Sequence, residues 1–547
     1  MSEQTMPQCY NFADIWEAIA ERIAVVCEGR ELTYASLEER SNRLANALLE
    51  RGVVPGDHVG VYLMNGPEYF EAMLAAFKIR AVPININYRY VQSELEYLFA
   101  DSQIKALIAH RQFSDRIVEV APSVPAIATV LLVDDGSGVD LPAQFEDYDN
   151  AIASAAAERS FADVVGERSG EDRYVIYTGG TTGMPKGVVW RQEDAFFACI
   201  GGGDPMRMSG AVDHPSQLVD RIIDFDFVAF PLAPMMHAAA QWTSLSWLFC
   251  GGKVVMNPGS FDALATWQTV ERERVSTLIV VGDAMVRPLI DAWDEHGPFD
   301  TSSLFAVGSG GAPLTASLKD RLMELLPTSM VTDGFGSSET GAQGSQRLQP
   351  GERSGGSTRF VPMGDTTVVL GDDLRPVVPG SGDVGRVALT GRIPLGYYND
   401  PVKSAATFVE SEGKRWVLTG DMATVDAEGT IVLLGRGSQV INTGGEKVYP
   451  EEVEAALKAH PSVYDAVVAG VPDERFGQRV CAIVRATDGF EVSLDELATH
   501  CREALAGYKI PRELVVVDEV VRSPVGKPDY RWARTTAMEA LGLTEPA

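Results

Sequence analysis

The stretch YTGGTTGMPKG, Tyr177 to Gly187, gathers four glycines, four hydroxyl side chains and one lysine into eleven residues, directly after the strand-like run YVIY, Tyr174 to Tyr177. Glycines let a backbone curl without steric penalty and turn its N–H groups inward, which is how a loop cradles phosphate. Thr178, Thr181 and Thr182 add hydroxyl donors, and Lys186 supplies a mobile cation for charge that backbone amides cannot neutralise. Lys186 is preceded by Pro185 and followed by Gly187, so the G-x-x-x-x-G-K-[ST] pattern of P-loop NTPases is not met. The competing reading is a Gly/Thr-rich surface loop; strand, glycines, hydroxyls and lysine arriving together favour a phosphate site.

This stretch resembles the phosphate-loop signature of the adenylate-forming enzymes, the superfamily of acyl-CoA synthetases, aryl-CoA ligases, peptide-synthetase adenylation domains and firefly luciferases. The resemblance covers nearly the whole chain. The wording of GVVWRQED (Gly187 to Asp194), GDAMVRPL (Gly282 to Leu289) and INTGGEKVYPEEVEAAL (Ile441 to Leu457) looks most like actinobacterial-type fatty or steroid side-chain acyl-CoA synthetases. The resemblance implies that a carboxylic acid is joined to CoA at the expense of ATP, through acyl-AMP and with Mg²⁺.

By the same resemblance, Thr178, Gly179, Gly180, Thr181, Thr182 and Gly183 together with Lys186 hold phosphate. The turn Gly311, Ala312, Pro313 lies against adenine, and His237, Gly310 and Gly334 line the acyl pocket. In DGFGSSETG, Asp333 to Gly341, the expected nucleotide contacts are Asp333, Gly334, Phe335, Gly336 and Ser338. Phe335 would stack on the base and Ser338 would reach the α-phosphate; the family usually carries Tyr and Thr there. Glu339, an oxygen ligand of the kind Mg²⁺ prefers, is the expected metal residue. Asp421 and Arg436 lie on short strands either side of the turn at residues 427–429. A carboxylate can accept from both vicinal ribose hydroxyls, and a forked guanidinium suits the ribose and phosphate neighbourhood. Lys527, in a P-x-G-K context, matches the adenylation lysine, able to position the acid and stabilise charge at the α-phosphate. Gly444, Gly445 and Glu446 would line a pantetheine tunnel. Ser438, two positions after the arginine, is the expected hinge, where many relatives carry Asp or Lys. Lys527, Lys186, Thr182, Glu339 and His237 are thus expected nearest the chemistry, the histidine shaping the pocket.

The elements that position these residues read as α/β layers. A helix-like NFADIWEAIAER, the strand Ile23 to Glu28 and an amphipathic helix with Leu37, Leu44 and Leu48 on one face open the chain. Strand-helix-strand alternation continues through Gly56 to Met64, PEYFEAMLAAFKI, Ala81 to Arg89, Lys105 to His110 and Thr129 to Asp134, which predicts parallel sheets. Asp226 to Trp242 runs an apolar strand into a Pro-Met-Met-His turn, the place where ligand sites of open α/β sheets gather. Gly308 to Pro313 does not satisfy G-x-S-x-G, which removes the support for a hydrolase. Residues 1–435 are expected to form a large nucleotide- and acyl-binding domain of layered α/β subdomains, ending in a β-rich, distorted-barrel part at about 366–434. Residues 436–547 would be a small mobile α+β lid.

Composition sets the outer limits. A net charge of −30 disfavours nucleic acid and anionic lipid surfaces, and requires that positive charge be concentrated where ATP and CoA bind. Six cysteines with no C-x-x-C, seven histidines with no H-E-x-x-H, and no long apolar run or signal-like N-terminus point to a cytoplasmic protein with idle thiols and no transmembrane segment. Dimers are common in the superfamily, which leaves a homodimer open. Two further outcomes share the motifs: an adenylating enzyme that loads a carrier protein, and an aryl- or aryl-alkanoate-CoA ligase. Ala238 to Ala240, Trp242 and Trp247 fit a bulky hydrophobic acid, with steroid side-chain acids ahead of fatty and aryl-alkanoic ones.

Overall fold

A computed structural model of the chain describes residues 19–180, 183–206, 208–354, 359–522 and 526–543. Thr181, Thr182 and most of the expected opening helix lie outside these residues. Three sheets organise the rest. In the largest, the strands Ile23–Cys27, Lys253–Met256, Val228–Pro231, Thr277–Val280, Ala306–Gly310 and Met330–Ser337 run parallel to their neighbours. Lys253–Met256, Val228–Pro231, Thr277–Val280 and Ala306–Gly310 are short, made largely of apolar or small residues and each followed by a helix, the pattern of strands covered on both faces. From Met330–Ser337 the same sheet continues antiparallel through Gly341–Leu348, Arg359–Pro362, Ile431–Arg436, Lys414–Val425, Gly385–Thr390 and Thr367–Leu370. The β-rich segment is therefore an extension of the central sheet, hinged on Arg359–Pro362, and Glu339, Asp421 and Arg436 share one hydrogen-bonded framework.

The second sheet contains His58–Tyr62, Val82–Asn85, Ile104–His110, Thr129–Val133 and Arg173–Gly180 as parallel strands, with Gly183–Arg191 and Gly396–Tyr397 added antiparallel at one edge. One apolar core fills the space between the two large sheets, from Val25 and Val254 on one to Val59, Ile108 and Ile176 on the other. Pro67–Lys78 is buried along its whole length in that layer, which is why it tolerates so few polar residues. The third sheet pairs Glu446–Val448, Ile441–Thr443, Gly477–Ala486 and Val463–Asp473, with Glu513–Val516 parallel at its side. Its two faces carry separate apolar clusters, one under the helices Pro450–Lys458 and Leu494–Cys501, the other under Tyr530–Ala540. This is the α+β unit expected for the lid. Cys27, Cys199, Cys250, Cys481 and Cys501 are unpaired, and burial pushes their thiols up, Cys27 to about 12. Among the described residues no helix is long and apolar enough to cross a membrane.

The small unit is seated on the helix Gly282–His296. Lys458 Nζ lies 2.7 Å from Asp283 Oδ2, with side chains 6% and 9% exposed, and Asp283 also accepts from the Thr315 N–H at 2.7 Å. The Tyr464 hydroxyl donates to Asp291 at 2.8 Å. Beside this pair Glu451 accepts a 3.4 Å hydrogen bond from the Arg436 N–H. Burial first, then the Glu454 carboxylate and more weakly Asp421, pushes Glu451 up to about 8.

Two outcomes follow from this seam. Removing one member of a buried pair costs about 3–5 kcal/mol because the other charge is left uncompensated. Lys458→Ala is therefore expected to expose the connection at residues 436–449 to limited proteolysis while the fragment containing residues 19–434 resists as before; an unchanged digest would remove the pair's anchoring role. Because Glu451 titrates higher when seated than its ordinary 4.5, its contribution is full at low pH and is lost as pH rises towards about 8. Glu451→Gln should accordingly gain thermal stability relative to wild type between pH 6 and pH 8, by up to about 1.4 kcal/mol per pH unit, and parallel melting curves across that range would exclude the effect.

Candidate active site

The phosphate stretch forms a hairpin and not an open loop. Arg173–Gly180 and Gly183–Arg191 pair antiparallel, Thr178 facing Lys186 and Gly180 facing Gly183, so strand structure reaches further into the motif than its glycine content implies. Cross-strand packing explains one glycine: a Cβ at Gly187 would stand 2.8 Å from the Tyr177 ring. Lys186 is thereby carried on a paired strand.

The hairpin is tied to the turn that carries His237 by buried amides. Asn85 accepts from the Tyr177 N–H at 2.7 Å and donates to the carbonyls of Tyr177 (2.8 Å) and Met236 (2.6 Å). Gln241 donates to the Met235 carbonyl at 2.8 Å and accepts from the Tyr174 hydroxyl at 2.7 Å, while Asn65 accepts from the Met235 N–H at 2.7 Å. His237 starts the helix Ala238–Phe249. Its Nε2 is shut off from solvent and has no hydrogen-bond partner among the described residues. Burial, then the charges of Lys527 and Arg89, hold its imidazole down at about 3, so the ring is neutral at physiological pH.

Facing the hairpin stands the turn between Met330–Ser337 and Gly341–Leu348, which presents Glu339. The Glu339 N–H donates to Ser337 Oγ at 3.2 Å, and its carboxylate accepts from the Tyr397 hydroxyl at 2.9 Å. Lys186 Nζ lies over the Tyr397 ring, 4.4 Å from its centre. Asp421 and Arg436 are directly opposite each other on adjacent strands, and Arg436 Nε donates to Asp421 Oδ1 at 3.2 Å. Lys527 comes from the small unit into the same cleft. Its side chain keeps contact with solvent at the mouth, but crowding by protein and the Arg436 guanidinium lower its pKa, against the opposing pull of Glu339 and Asp421. Lys186 is lowered likewise, by desolvation first, with Glu339 opposing. Five residues distant in sequence, Lys186, Glu339, Asp421, Arg436 and Lys527, thus share one electrostatic neighbourhood.

The expected adenine turn follows Ala306–Gly310, with Gly310 in register with Gly334. Gly282 packs against it so closely that a Cβ would meet the Pro313 carbonyl oxygen at 2.3 Å. Asp333 is engaged by Lys319 at 2.7 Å, both side chains buried. Phe335 stacks on Phe360, ring centres 4.9 Å apart. The Ser338 carbonyl accepts from the Trp190 indole at 3.0 Å. Gly336 lies within Met330–Ser337, opposite Ala342 across a bulge. Gly444, Gly445 and Glu446 form the exposed tip of the hairpin Ile441–Thr443 and Glu446–Val448. Ser438 is exposed on a single helical turn, Gly437–Gln439.

Tyr397, Asn85 and the Asp283–Lys458 pair were not picked out from sequence. The GYYND run carried a usable signal, aromatic residues between a glycine and an Asn-Asp-Pro helix start; a buried asparagine inside an apolar strand carries none until its partners are known. Among the described residues no cluster of three or more His, Cys, Asp or Glu could enclose a metal. A single half-buried carboxylate at Glu339, facing a phosphate-type loop, fits Mg²⁺, which keeps several waters and is completed by phosphate oxygens.

These features agree with known proteins. Residues 12–398 match the family model "AMP-binding enzyme", and residues 452–527 match "AMP-binding enzyme C-terminal domain". The chain is 49% identical over 534 residues to a 3-oxocholest-4-en-26-oate--CoA ligase of Rhodococcus rhodochrous, covering 96% of this chain and 95% of that one. It is 46% identical to a medium/long-chain-fatty-acid--CoA/3-oxocholest-4-en-26-oate--CoA ligase of Mycobacterium marinum, with 97% of each chain covered. Its fold matches that of the anthranilate CoA ligase AuaEII in complex with anthranoyl-AMP, at a TM-score of 0.82, 24% identity, and coverage of 99% of this chain and 100% of that one. The chain therefore belongs to the AMP-binding enzyme family, and its relatives of high identity are acyl-CoA ligases.

Proposed function

We propose that this protein is an ATP-dependent acyl-CoA synthetase whose acid is hydrophobic and bulky, with steroid side-chain acids first and medium- or long-chain fatty acids second. The observation that carries the reaction is the convergence of Lys186, Arg436 and Lys527 on Glu339 and Asp421. The relatives' acids support the substrate order.

In the first step a carboxylate oxygen attacks the α-phosphorus, the bond to the bridging oxygen breaks, and pyrophosphate leaves with its electron pair. Lys186 and the Thr178–Gly183 backbone hold the phosphates, with Thr181 and Thr182 supplying hydroxyls. Bound Mg²⁺, held by Glu339 and phosphate oxygens, would offset charge on the leaving pyrophosphate. Asp421 receives the ribose hydroxyls, with Arg436 beside it, and Phe335, Ser338 and the 310–313 turn border the nucleotide. Lys527 places the acid and stabilises charge gathering at the α-phosphate, a role that a preorganised cation in a partly dry cleft performs well. No general base is needed, because the nucleophile is already an anion. A neutral His237 agrees with that, and its work is to shape the acyl pocket. In the second step the CoA thiol attacks the acyl carbon, loses its proton, and AMP departs.

The unit from residue 436 onward acts as the lid, turning at Ser438, and brings Gly444, Gly445 and Glu446 to the pantetheine for thioester formation. The exposure of both segments supports this. The unpaired thiols accord with a cytoplasmic setting, and a homodimer is kept as the assembly by family likeness alone.

The test is AMP release with CoA against hexanoate, palmitate, a C24 bile acid, a cholesterol side-chain acid and benzoate. Steroid and long fatty acids should give acyl-CoA and benzoate should not. Lys527→Ala should lower acid-dependent pyrophosphate release roughly 10²–10³-fold, the loss typical of one transition-state electrostatic contact, with ATP affinity changed far less. Pyrophosphate without acyl-CoA from any acid would replace CoA by a carrier protein as acceptor.

A further inference from the structure

We propose that Tyr397 is a positioning residue for adenylation, its hydroxyl orienting Glu339 and its ring holding Lys186. The inference rests on the roles given above to those two residues. Tyr397 lies in the two-residue strand Gly396–Tyr397, which pairs with Val189 and Val188 on the outgoing arm of the phosphate hairpin. Two further backbone bonds extend the join, Leu395 N–H to Val189 O at 2.8 Å and Tyr398 N–H to Gly187 O at 2.7 Å. The tyrosine N–H donates to Ser404 Oγ at 2.8 Å, and its ring meets Phe408 edge-on, 5.7 Å between centres. Held on three sides and 7% exposed, the phenol has little freedom to move.

From that seat it touches both ends of the phosphate-handling apparatus. Its hydroxyl donates to Glu339 Oε1 at 2.9 Å, and Lys186 Nζ stands 4.4 Å from its ring centre. Among the described residues neither Lys186 nor Glu339 is in a salt bridge, so the two opposite charges are linked through a neutral ring and not through each other. That distinction has a chemical purpose. A direct Lys186–Glu339 pair would satisfy both groups and have to be broken before phosphate or metal could bind. Tyr397 orients each without neutralising it: one carboxylate oxygen is occupied by the hydroxyl and the other is left to a cation, while the ring attracts the ammonium through its face and leaves its N–H donors to phosphate oxygens.

The two contacts can be separated with two substitutions of the full-length protein. Tyr397→Phe keeps the ring and removes the hydroxyl; Tyr397→Leu removes both. Metal-free ATP binding, by calorimetry in chelator, reads Lys186. Mn²⁺ binding to the enzyme–ATP complex, by electron paramagnetic resonance, reads Glu339. Tyr397→Phe should leave metal-free ATP binding within two-fold of wild type and raise the half-saturating Mn²⁺ at least five-fold, whereas Tyr397→Leu should weaken both at least five-fold. Glu339→Gln and Lys186→Ala separate this inference from the reading beneath it. If Glu339→Gln leaves the Mn²⁺ titration unchanged, Glu339 is not the metal residue and the reading itself fails. If Glu339→Gln raises it but Tyr397→Phe does not, the tyrosine's orienting role is overturned. A phenylalanine variant that behaves as wild type, with a leucine variant that only melts earlier, would reduce Tyr397 to packing. Should the leucine variant not fold, the phenylalanine titration alone decides the hydroxyl contact.

Discussion

Like charges in one cleft disfavour each other, and this constraint governs the whole site. Loss of water first, and then neighbouring cations, Arg436 at Lys527 and Lys403 with Arg436 at Lys186, lower both ammonium groups. Carboxylates oppose this: Glu339 raises both groups, joined by Asp421 at Lys527 and by Asp400 at Lys186. A chain with net charge −30 has no general attraction for polyanions, so its affinity for ATP must be generated locally. Cations gathered at one point and balanced by two acids create a potential that falls off within a Debye length of the cleft. The surface elsewhere can then remain acidic, which favours solubility.

Such a grouping needs rigid support, and the support is largely buried hydrogen bonding. Asn85 joins the phosphate hairpin to the His237 turn through three short bonds in the second sheet. Asp421 and Arg436 sit opposite each other by strand register, and Glu339 lies in a turn of the same continuous sheet. Sheet register is hard to slip where one face is buried. Only Lys527 reaches the cleft from outside both large sheets.

Much of this was legible in the sequence. Short apolar runs alternating with helical periods announce parallel α/β sheets, and Glu339, Asp421, Arg436 and Lys527 lie in motifs whose glycines and flanking strands mark turns. The gaps have physical causes. The phosphate stretch reads as a loop because glycine and threonine give no strand periodicity, yet pairing of Thr178 with Lys186 makes it a hairpin. The β-rich segment reads as a subdomain within the large domain, but its join to the central sheet, made through a four-residue strand, Arg359–Pro362, has no signature of its own. Expected nucleotide contacts such as Asp333 and Phe335 have protein partners, Lys319 and Phe360, that lie too far along the chain for any local pattern to reveal. Tyr397 was hidden for the same reason: its importance lies in three neighbours from three elements.

The seat of the small unit has a consequence for how such chains can be recombined. Asp283 and Asp291, which receive Lys458 and Tyr464, lie on one helix, Gly282–His296. That helix also meets Gly526, next to Lys527, where a Cβ would come within 2.7 Å of the Ala284 side chain. At its first residue it touches the Pro313 carbonyl so closely that no side chain fits. The turn at Pro313, the docking surface and the segment bearing Lys527 are therefore registered on a single fifteen-residue rod. A C-terminal module exchanged between relatives inherits its alignment from the host's version of this helix, and the natural unit of exchange is the module together with residues 282–296.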